Sequence, residues 1–509
     1  MSKLAWNDID WSLIQRRISR QQRRVYKASI ERNKEKVHAI QRRIICSLDS
    51  KVLAIQQVIT KNRVSIRSSK ELVSHEKKIK LAYQLKLNSA IKKAILNYGK
   101  SRFQSLKISN IQDQAKQILV RIALEPEWEA LFEPNSYGFR PGRSCHDLIT
   151  TLLFSLKRKS RYIIYVNLQK CCYSIDYEKL FKKLSTFNLI KYQLKLWLKT
   201  GIMKNYQNRQ IEIFQEVKFQ FQNDIVSSLL LNIALHGLGN YIRNWYKSIW
   251  YSTKGKNFKI GKYNKKAIFG LSRYADDFII TTSIIININE IKTQIAIWLY
   301  NEIGITFSKS KIKIINSTEG FELIGFRIIT IKSHLTKKYK IKIYPSRSSK
   351  TYIIHYLHNL IQKNKSVSVY SLITLLSIRI IVWANYFRFS ECKQEFSKID
   401  YFIFNQIRSW IVRRKPKGLI SRAKIKLEYF PKRNIYNFKG KNYKNNWVLT
   451  GKTKTKNGNI KENFLPKMVW VSSSKYIKIK TNASPYNNSN LYWTQRSKKY
   501  YKFDILNRI

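Results

Sequence analysis

The chain has 509 residues, 44% of them hydrophobic, which excludes general disorder and leaves room for roughly two to four domains around a sizeable core. Lys and Arg number 97 against 30 Asp and Glu, a net charge of +67. An AT-rich coding bias inflates Lys, Asn, Ile and Tyr but does not strip out acids, so the deficit points to a polyanionic partner. Nucleic acid comes ahead of a membrane, bound with strong salt dependence. Cys46, Cys145, Cys171, Cys172 and Cys392 form no C-x-x-C pair, which argues against a zinc module or disulfide framework and fits a reducing compartment. Met1 to Trp11 matches neither a signal nor a transit peptide. The most apolar run, Ser371 to Phe387, is broken by Arg379. A soluble protein without a membrane partner is expected.

Residues 11–62 carry two apolar stripes at helical spacing. Ile14, Ile18, Val25 and Tyr26 mark one helix; Val37, Ile40, Ile44, Ile45, Leu48, Val52, Ile55 and Ile59 mark a second. Between them stand Arg16, Arg17, Arg20, Arg23, Arg24, Arg42 and Arg43. A solvated charged face is one reading. Guanidinium groups on nearly every turn, with almost no acidic partner, suit phosphate better, because the fork binds it bidentately. Residues 63–110 are polar, Lys-rich and weakly patterned. A helix-like segment, Ile111 to Leu131, leads into a loop rich in Pro and Gly from Phe132 to Asp147, where Ser144 caps a helix running to Lys157. Arg140 and Arg143 flank its turn and are candidate phosphate ligands, with an ordinary loop as the alternative.

Tyr162 to Leu168 reads as a strand, followed by an amphipathic helix from about Tyr177 with Leu180, Phe181, Leu184, Leu194, Trp197 and Leu198 as its apolar residues. Two β-prone runs, Lys266–Leu271 and Phe278–Thr282, then flank Ser272 to Asp277. This is a β-hairpin with Asp276 and Asp277 at or beside its turn. Such a pair is either a solvated turn or two oxygen ligands for a hard divalent cation. Lys309 and Lys311 precede a strand pair at Phe321–Arg327. From Tyr344 to about Lys417 the pattern is helical. Trp383 and Trp410 there are evenly balanced between core and ligand, and Arg388, Arg413 and Arg414 are better placed for RNA. From about Tyr436 basic groups alternate with aromatics, a mixture suited to single-stranded or looped nucleic acid.

Several of these stretches resemble one family. Tyr274-Ala275-Asp276-Asp277 between two strands resembles the polymerase centre of reverse transcriptases. Glu125 to Ala130, with Asn135 to Asp147, is closely similar to the fingers of group II intron-encoded reverse transcriptase/maturases. Trp6 to Trp11 and the basic helices resemble that family's N-terminal RNA-binding extension. Trp383–Arg388 and Trp410–Pro416 resemble its thumb or X domain. Tyr476–Tyr486 and Tyr492-Trp493 resemble the basic segment ahead of its Cys/His-rich DNA endonuclease, which is missing: no His follows His358 and no Cys follows Cys392. The resemblance implies an α+β right-hand polymerase. It has a helical extension (1–65), fingers (66–160), palm (161–343), helical thumb/X domain (344–434) and basic tail (435–509).

The resemblance also implies departures. The family's strand aspartate, which joins the Asp-Asp pair in holding two metal ions, aligns with Asn167; Cys171, Ile175 and Glu178-Lys179-Leu180 hold the register without a gap. An Asn carbonyl brings no charge to such a centre, and Asp176 replaces it only if the backbone is remodelled. The family's Pro-Gln-Gly-Gly is Phe221-Gln222-Asn223-Asp224 here, and its Arg-Pro-Leu-Gly-Ile-Pro is Gln104 to Ser109. The implied function is that of a maturase that binds its host intron RNA and promotes splicing, with reverse transcription lost. Asp276 and Asp277 are then a vestigial or weak catalytic and metal pair, holding Mg²⁺ loosely, while the intron RNA needs Mg²⁺ of its own. The alternative is an active RNA-directed DNA polymerase supporting intron mobility, with DNA as a further partner. A homodimer is compatible with either. Arg16, Arg17, Arg20, Arg23, Arg24, Arg140, Arg143, Lys311, Arg388, Arg413 and Arg414 are the implied RNA ligands. The composition and the N-terminus imply an organelle-encoded chain, and the family resemblance implies a plastid ahead of a mitochondrion.

Overall fold

The computed structural model describes residues 6–65, 74–87, 100–157, 161–168, 175–199, 225–254, 269–282, 288–305, 311–332, 339–414, 422–431, 435–445, 447–454, 458–487 and 490–496. They fall into two compact units, one of residues 1–148, 163–314 and 479–509, the other of 149–162 and 315–478.

The first unit opens with α1 (Trp11–Ile30), α2 (Lys34–Cys46), α3 (Leu48–Ser65) and α4 (His75–Gln84). The Asp10 carboxylate starts α1 by accepting the Ser12 and Leu13 N–H groups. The second apolar stripe is split between α2 and α3 rather than forming one helix. Ser47 is extended, and its Oγ accepts the Ser50 N–H, so one helix ends and the next is capped at the same residue. The next helix, α5 (Lys100–Leu131), begins well ahead of the expected Ile111 and runs through Pro126. Proline removes the hydrogen bond to the carbonyl four residues back. That carbonyl, Ile122 O, receives Gln22 Nε2 of α1 at 3.1 Å instead. Gln41 Nε2 reaches Ala123 O and Ser29 Oγ reaches Glu127 O in the same turn. The turn of α5 around Pro126 is therefore where α1 and α2 attach.

After α6 (Cys145–Leu156) come β1 (Tyr162–Asn167), α7 (Tyr177–Leu184), α8 (Asn188–Lys199), α9 (Ser227–Ala234) and α10 (Leu238–Lys254). The single helix expected from Tyr177 is broken by Ser185, which adopts φ 46° and ends α7. Then follow β2 (Phe269–Tyr274), β3 (Asp277–Thr282), α11 (Ile288–Ile303) and β4 (Lys311–Asn316). The strands form one sheet in the order β2-β3-β1-β4. Ile164, Val166, Phe278 and Ile280 join the helices in a shared apolar core.

The second unit holds β5 (Phe321–Leu323), β6 (Phe326–Lys332) and β7 (Tyr339–Pro345) as a three-stranded antiparallel sheet. Its first turn, Ile324-Gly325, has φ 47° and 80°. A side chain at Gly325 would strike Ser349 Oγ at 2.7 Å, so this position needs glycine twice over. The helices α12 (Arg347–Lys363), α13 (Val369–Phe387), α14 (Lys393–Arg413) and α15 (Arg422–Tyr429) follow. By length and hydropathy α13 could cross a membrane. Here Leu372, Ile373, Leu376, Ile380, Ala384 and Phe387 are buried against protein. The region read as a basic tail begins with two hairpins, β8 (Ile435–Phe438) with β9 (Lys441–Lys444) and β10 (Thr450–Lys454) with β11 (Ile460–Phe464). Tyr436, Val448 and Trp470 form their core, and Tyr443 stacks on Trp470 at 5.1 Å. Those aromatics are spent on folding. The last helix among the described residues, α16 (Asn490–Arg496), belongs to the first unit.

Candidate functional site

The Asp-Asp hairpin forms as its sequence requires. Tyr274 pairs with Asp277 in the β2–β3 register, leaving Ala275 and Asp276 as a two-residue turn. Ala275 has φ 55°, a conformation that costs an L-residue about 1 kcal/mol or more. The neighbouring loop holds it there. Tyr137 N–H donates to Arg273 O and Arg273 N–H to Asn135 O, both at 2.9 Å. Gly138 lies so close that a Cβ would sit 2.2 Å from Ala275 N. Below the turn, Arg273 is 1% exposed. Its guanidinium donates to Ala275 O at 3.2 Å and to Asn232 Oδ1 at 3.1 Å, while Asn232 Nδ2 donates to Gly138 O at 2.8 Å. Sequence reading singles out neither Arg273 nor Asn232 as functional, because their significance is a contact between α9, β2 and a loop.

The carboxylates sit half-buried at the end of β1. Asp277 Oδ1 accepts the Tyr165 hydroxyl at 2.6 Å and Asn167 Nδ2 at 2.7 Å. Leu168 N–H donates to Asp276 O at 3.0 Å, fixing the end of β1 to the turn. Burial, then the adjacent Asp277 charge, pushes Asp276 up to about 6. Burial also raises Asp277, opposed by its bonds from Tyr165 and Asn167. An aspartate at 167 would face Asp277 with like charge and need a cation between them. The Asn167 amide instead offers a proton to the same oxygen. Asp176 is committed elsewhere, capping α7 by accepting Glu178 N–H at 2.9 Å. Among the described residues, no three His, Cys, Asp or Glu side chains come together as metal ligands. This donor set does not fit a two-ion centre, which needs carboxylates to offset the cation charge.

The loop arginines are not positioned for phosphate. Arg140 is 3% exposed. Its Nε and Nη2 form a fork with Glu129, both at 2.8 Å, and Nη1 donates to Glu133 O and Ser136 O. Arg143 is 8% exposed and donates to Pro134 O and Thr481 O. Burial, then Arg140, pushes it down to about 10. Both residues are corrected from RNA ligands to internal ties. A basic residue in a Gly/Pro loop cannot show from sequence that an acid on the preceding helix awaits it.

The acids of the Glu125–Ala130 motif all turn inward. Glu125 takes Arg121 at 3.0 Å, Glu127 takes Gln41 Nε2 at 2.6 Å, and Glu129 takes Arg140. Nearby, Glu133 Oε1 accepts the Gly237 and Asn240 N–H groups at the start of α10. Burial pushes Glu127 up to about 7. A folded value above the unfolded 4.5 means that Glu127 stabilises fully below about pH 4.5, and the contribution is lost as pH rises through about 7. Stability should fall across that window by about 2–3 kcal/mol on account of Glu127. Urea unfolding at a series of pH values checks it: Glu127→Gln should flatten the decline, and an equal decline in the variant would refute the assignment.

The other basic candidates lie differently. Arg16, Arg17, Arg20 and Arg24 are exposed on α1 and Arg23 is half-buried; Arg17 is 3.6 Å from Asp49. Arg413 and Arg414 are exposed at the end of α14, bonded to Gln362 and to Val367 O. Arg388 is half-buried over the Phe389 ring at 4.7 Å. Trp410 is core, its indole donating to Asn364 O at 3.0 Å, and Trp383 packs on Phe387 and Phe396. Lys311 opens β4, with its side chain outside the described residues, as are Lys309 and Phe221–Asp224; Gln104–Ser109 lie in α5 with side chains outside them too.

Residues 479–487 and 490–496 fold onto the loop at 132–147 and the start of α6. Asp147 is fully buried and takes Arg496 Nη2 on both oxygens, at 2.8 and 2.7 Å. It also accepts the N–H groups of Ser144, at the start of α6, and Ile479. The Tyr486 hydroxyl donates to Glu125 Oε2 at 3.2 Å, and the Trp493 indole donates to Ser484 O. This part of the basic tail is a strap.

A family model for reverse transcriptase (RNA-dependent DNA polymerase) matches residues 91–328, and one for the N-terminal domain of reverse transcriptase matches 6–85. The hairpin and sheet thus lie in a protein with the reverse transcriptase fold. A third model, the group II intron maturase-specific domain, matches residues 352–430. Together they show that the chain belongs to the group II intron-encoded reverse transcriptase/maturase family. It is 24% identical over 417 residues to Maturase-like protein 1 of Euglena gracilis, covering 77% of this chain and 79% of that one. It is 25% identical over 298 residues to the Group II intron-encoded protein LtrA of Lactococcus lactis, covering 48% and 47%. A solved telomerase from Candida albicans aligns with a TM-score of 0.27 at 11% identity over 64% of this chain and 58% of that one.

Proposed function

We propose that this chain is a maturase that binds its host group II intron RNA and promotes splicing without synthesising DNA. The observation that carries it is the 2.7 Å bond from Asn167 Nδ2 to Asp277 Oδ1. It converts a place for cations into a hydrogen-bonded hairpin. What remains is binding: inward-turned acids leave the arginines of α1 and the end of α14 to face phosphate, bound by counterion release. The RNA performs transesterification with its own Mg²⁺, and the protein holds the RNA fold that reacts. The Lys-, Asn-, Ile- and Tyr-rich composition supports an organellar chain, and the family resemblance favours a plastid over a mitochondrion. Primer extension and splicing of the host intron test this reading side by side. The purified protein should give no Mg²⁺-dependent DNA product, and Asp276→Ala with Asp277→Ala should leave splicing support unchanged. Robust DNA synthesis by the unmodified protein would refute the reading in favour of an active polymerase, and failure to accelerate splicing would refute it outright.

A further inference from the structure

We propose that the outer face of α12 is a stacking groove for unpaired RNA nucleotides. A groove of about 920 Å³ runs along this helix, lined by Arg347, Tyr352, His355, Tyr356, Asn359 and Lys363 among others. Their spacing puts them on one side, while Ile353, Leu357 and Ile361 on the other enter the core. Tyr352 is 54% exposed. Its ring centroid lies 6.1 Å from that of Tyr356 at an interplanar angle of 27°, so the two form a short aromatic platform. The Arg379 guanidinium lies 5.5 Å from the Tyr356 centroid. The exposed cations Arg347 and Lys363 stand at opposite ends of the helix, roughly 24 Å apart at 1.5 Å per residue. The carboxylate lining the groove, Glu322, is occupied by the Arg347 N–H at 3.2 Å and the Ser348 hydroxyl at 3.3 Å. These bonds place it at the start of α12, at the Arg347 end of the groove and away from the far end at Lys363.

Exposed π faces between cations are what single-stranded nucleic acid uses: bases stack on the rings and the backbone follows the charges. Duplex RNA hides its base faces and is read through phosphates and 2′-hydroxyls, so tyrosine rings add little there. Tyr352 and Tyr356 lie off the buried stripe of α12 formed by Ile353, Leu357 and Ile361. The proposal rests on the reading of this chain as an intron-binding protein, and adds that α12 takes looped or bulged nucleotides.

The test uses the full chain with two probes: a short single-stranded oligoadenylate carrying one fluorescent adenine analogue, and a blunt duplex of the same sequence. The unmodified protein should quench the single strand on binding, and the duplex should compete poorly. Tyr352→Ala with Tyr356→Ala should weaken single-strand binding roughly tenfold to a hundredfold and abolish quenching. Tyr352→Phe with Tyr356→Phe should retain both, and thermal melts should be unchanged because neither ring is core. Unchanged affinity and quenching in the double alanine variant, equal competition by duplex, or no binding of the single strand each overturns the proposal. A protein that supports splicing while failing this test loses the groove but keeps the intron reading. One that passes while leaving splicing unaffected loses the intron reading and keeps the groove.

Discussion

Arg496→Met should lower the free energy of unfolding by about 3–5 kcal/mol, the cost of leaving a buried charge without its partner. Asp147 is fully buried, and Arg496 itself is 4% exposed. With the guanidinium gone, the buried carboxylate loses its charged partner but keeps the Ser144 and Ile479 N–H groups. Asp147→Asn combined with Arg496→Met should recover part of the loss, because it removes the orphaned charge rather than the packing. Urea unfolding gives the energies, and limited proteolysis after Ile479 reports release of the strap. A single variant as stable as the parent would show that the strap is not tied here. The consequence reaches function, since a segment resembling a nucleic-acid-binding tail then serves to brace the loop at residues 132–147.

Arg140→Lys should be nearly as severe, by about 2–4 kcal/mol, because an ammonium cannot reproduce a fork that meets both Glu129 oxygens and two carbonyls. The same variant separates the two roles considered for this residue. Measured below its melting temperature, Arg140→Lys should bind structured RNA with unchanged affinity and unchanged salt dependence, since the Arg140 guanidinium is buried and donates to Glu129, Glu133 O and Ser136 O. Removing a true phosphate contact lowers the salt slope by about one. A lowered slope in a folded variant would restore Arg140 as an RNA ligand.

The hairpin shows how far the sequence reaches. Short runs of β-branched and aromatic residues, an Asp-Asp turn and the strand at Tyr162 suffice to place Asp276, Asp277 and Asn167, since β-propensity and turn chemistry are local. The helix breaks at Ser47 and Ser185 are also local, yet go unread, because the apolar stripes continue across them and one polar residue in a helix carries little signal. The late start assigned to α5 has the same cause in reverse: its first turns are polar and show no stripe.

While β4 and β7 went unread, sequence alone determined the family, the strand β1 and the β2–β3 hairpin, the excess of positive charge and the amide at position 167. Each is a matter of residue type and short spacing. Only the tertiary structure decided which charges face inward. Arg140 and Glu129 are 11 positions apart, Arg496 and Asp147 349. Whether an arginine meets phosphate or a buried carboxylate depends on what the fold brings beside it, because the desolvation that forces pairing exists only once the chain has closed around the group. In the same way, Asn167 became a hydrogen-bond donor rather than a poor metal ligand only when β1 and β3 lay side by side.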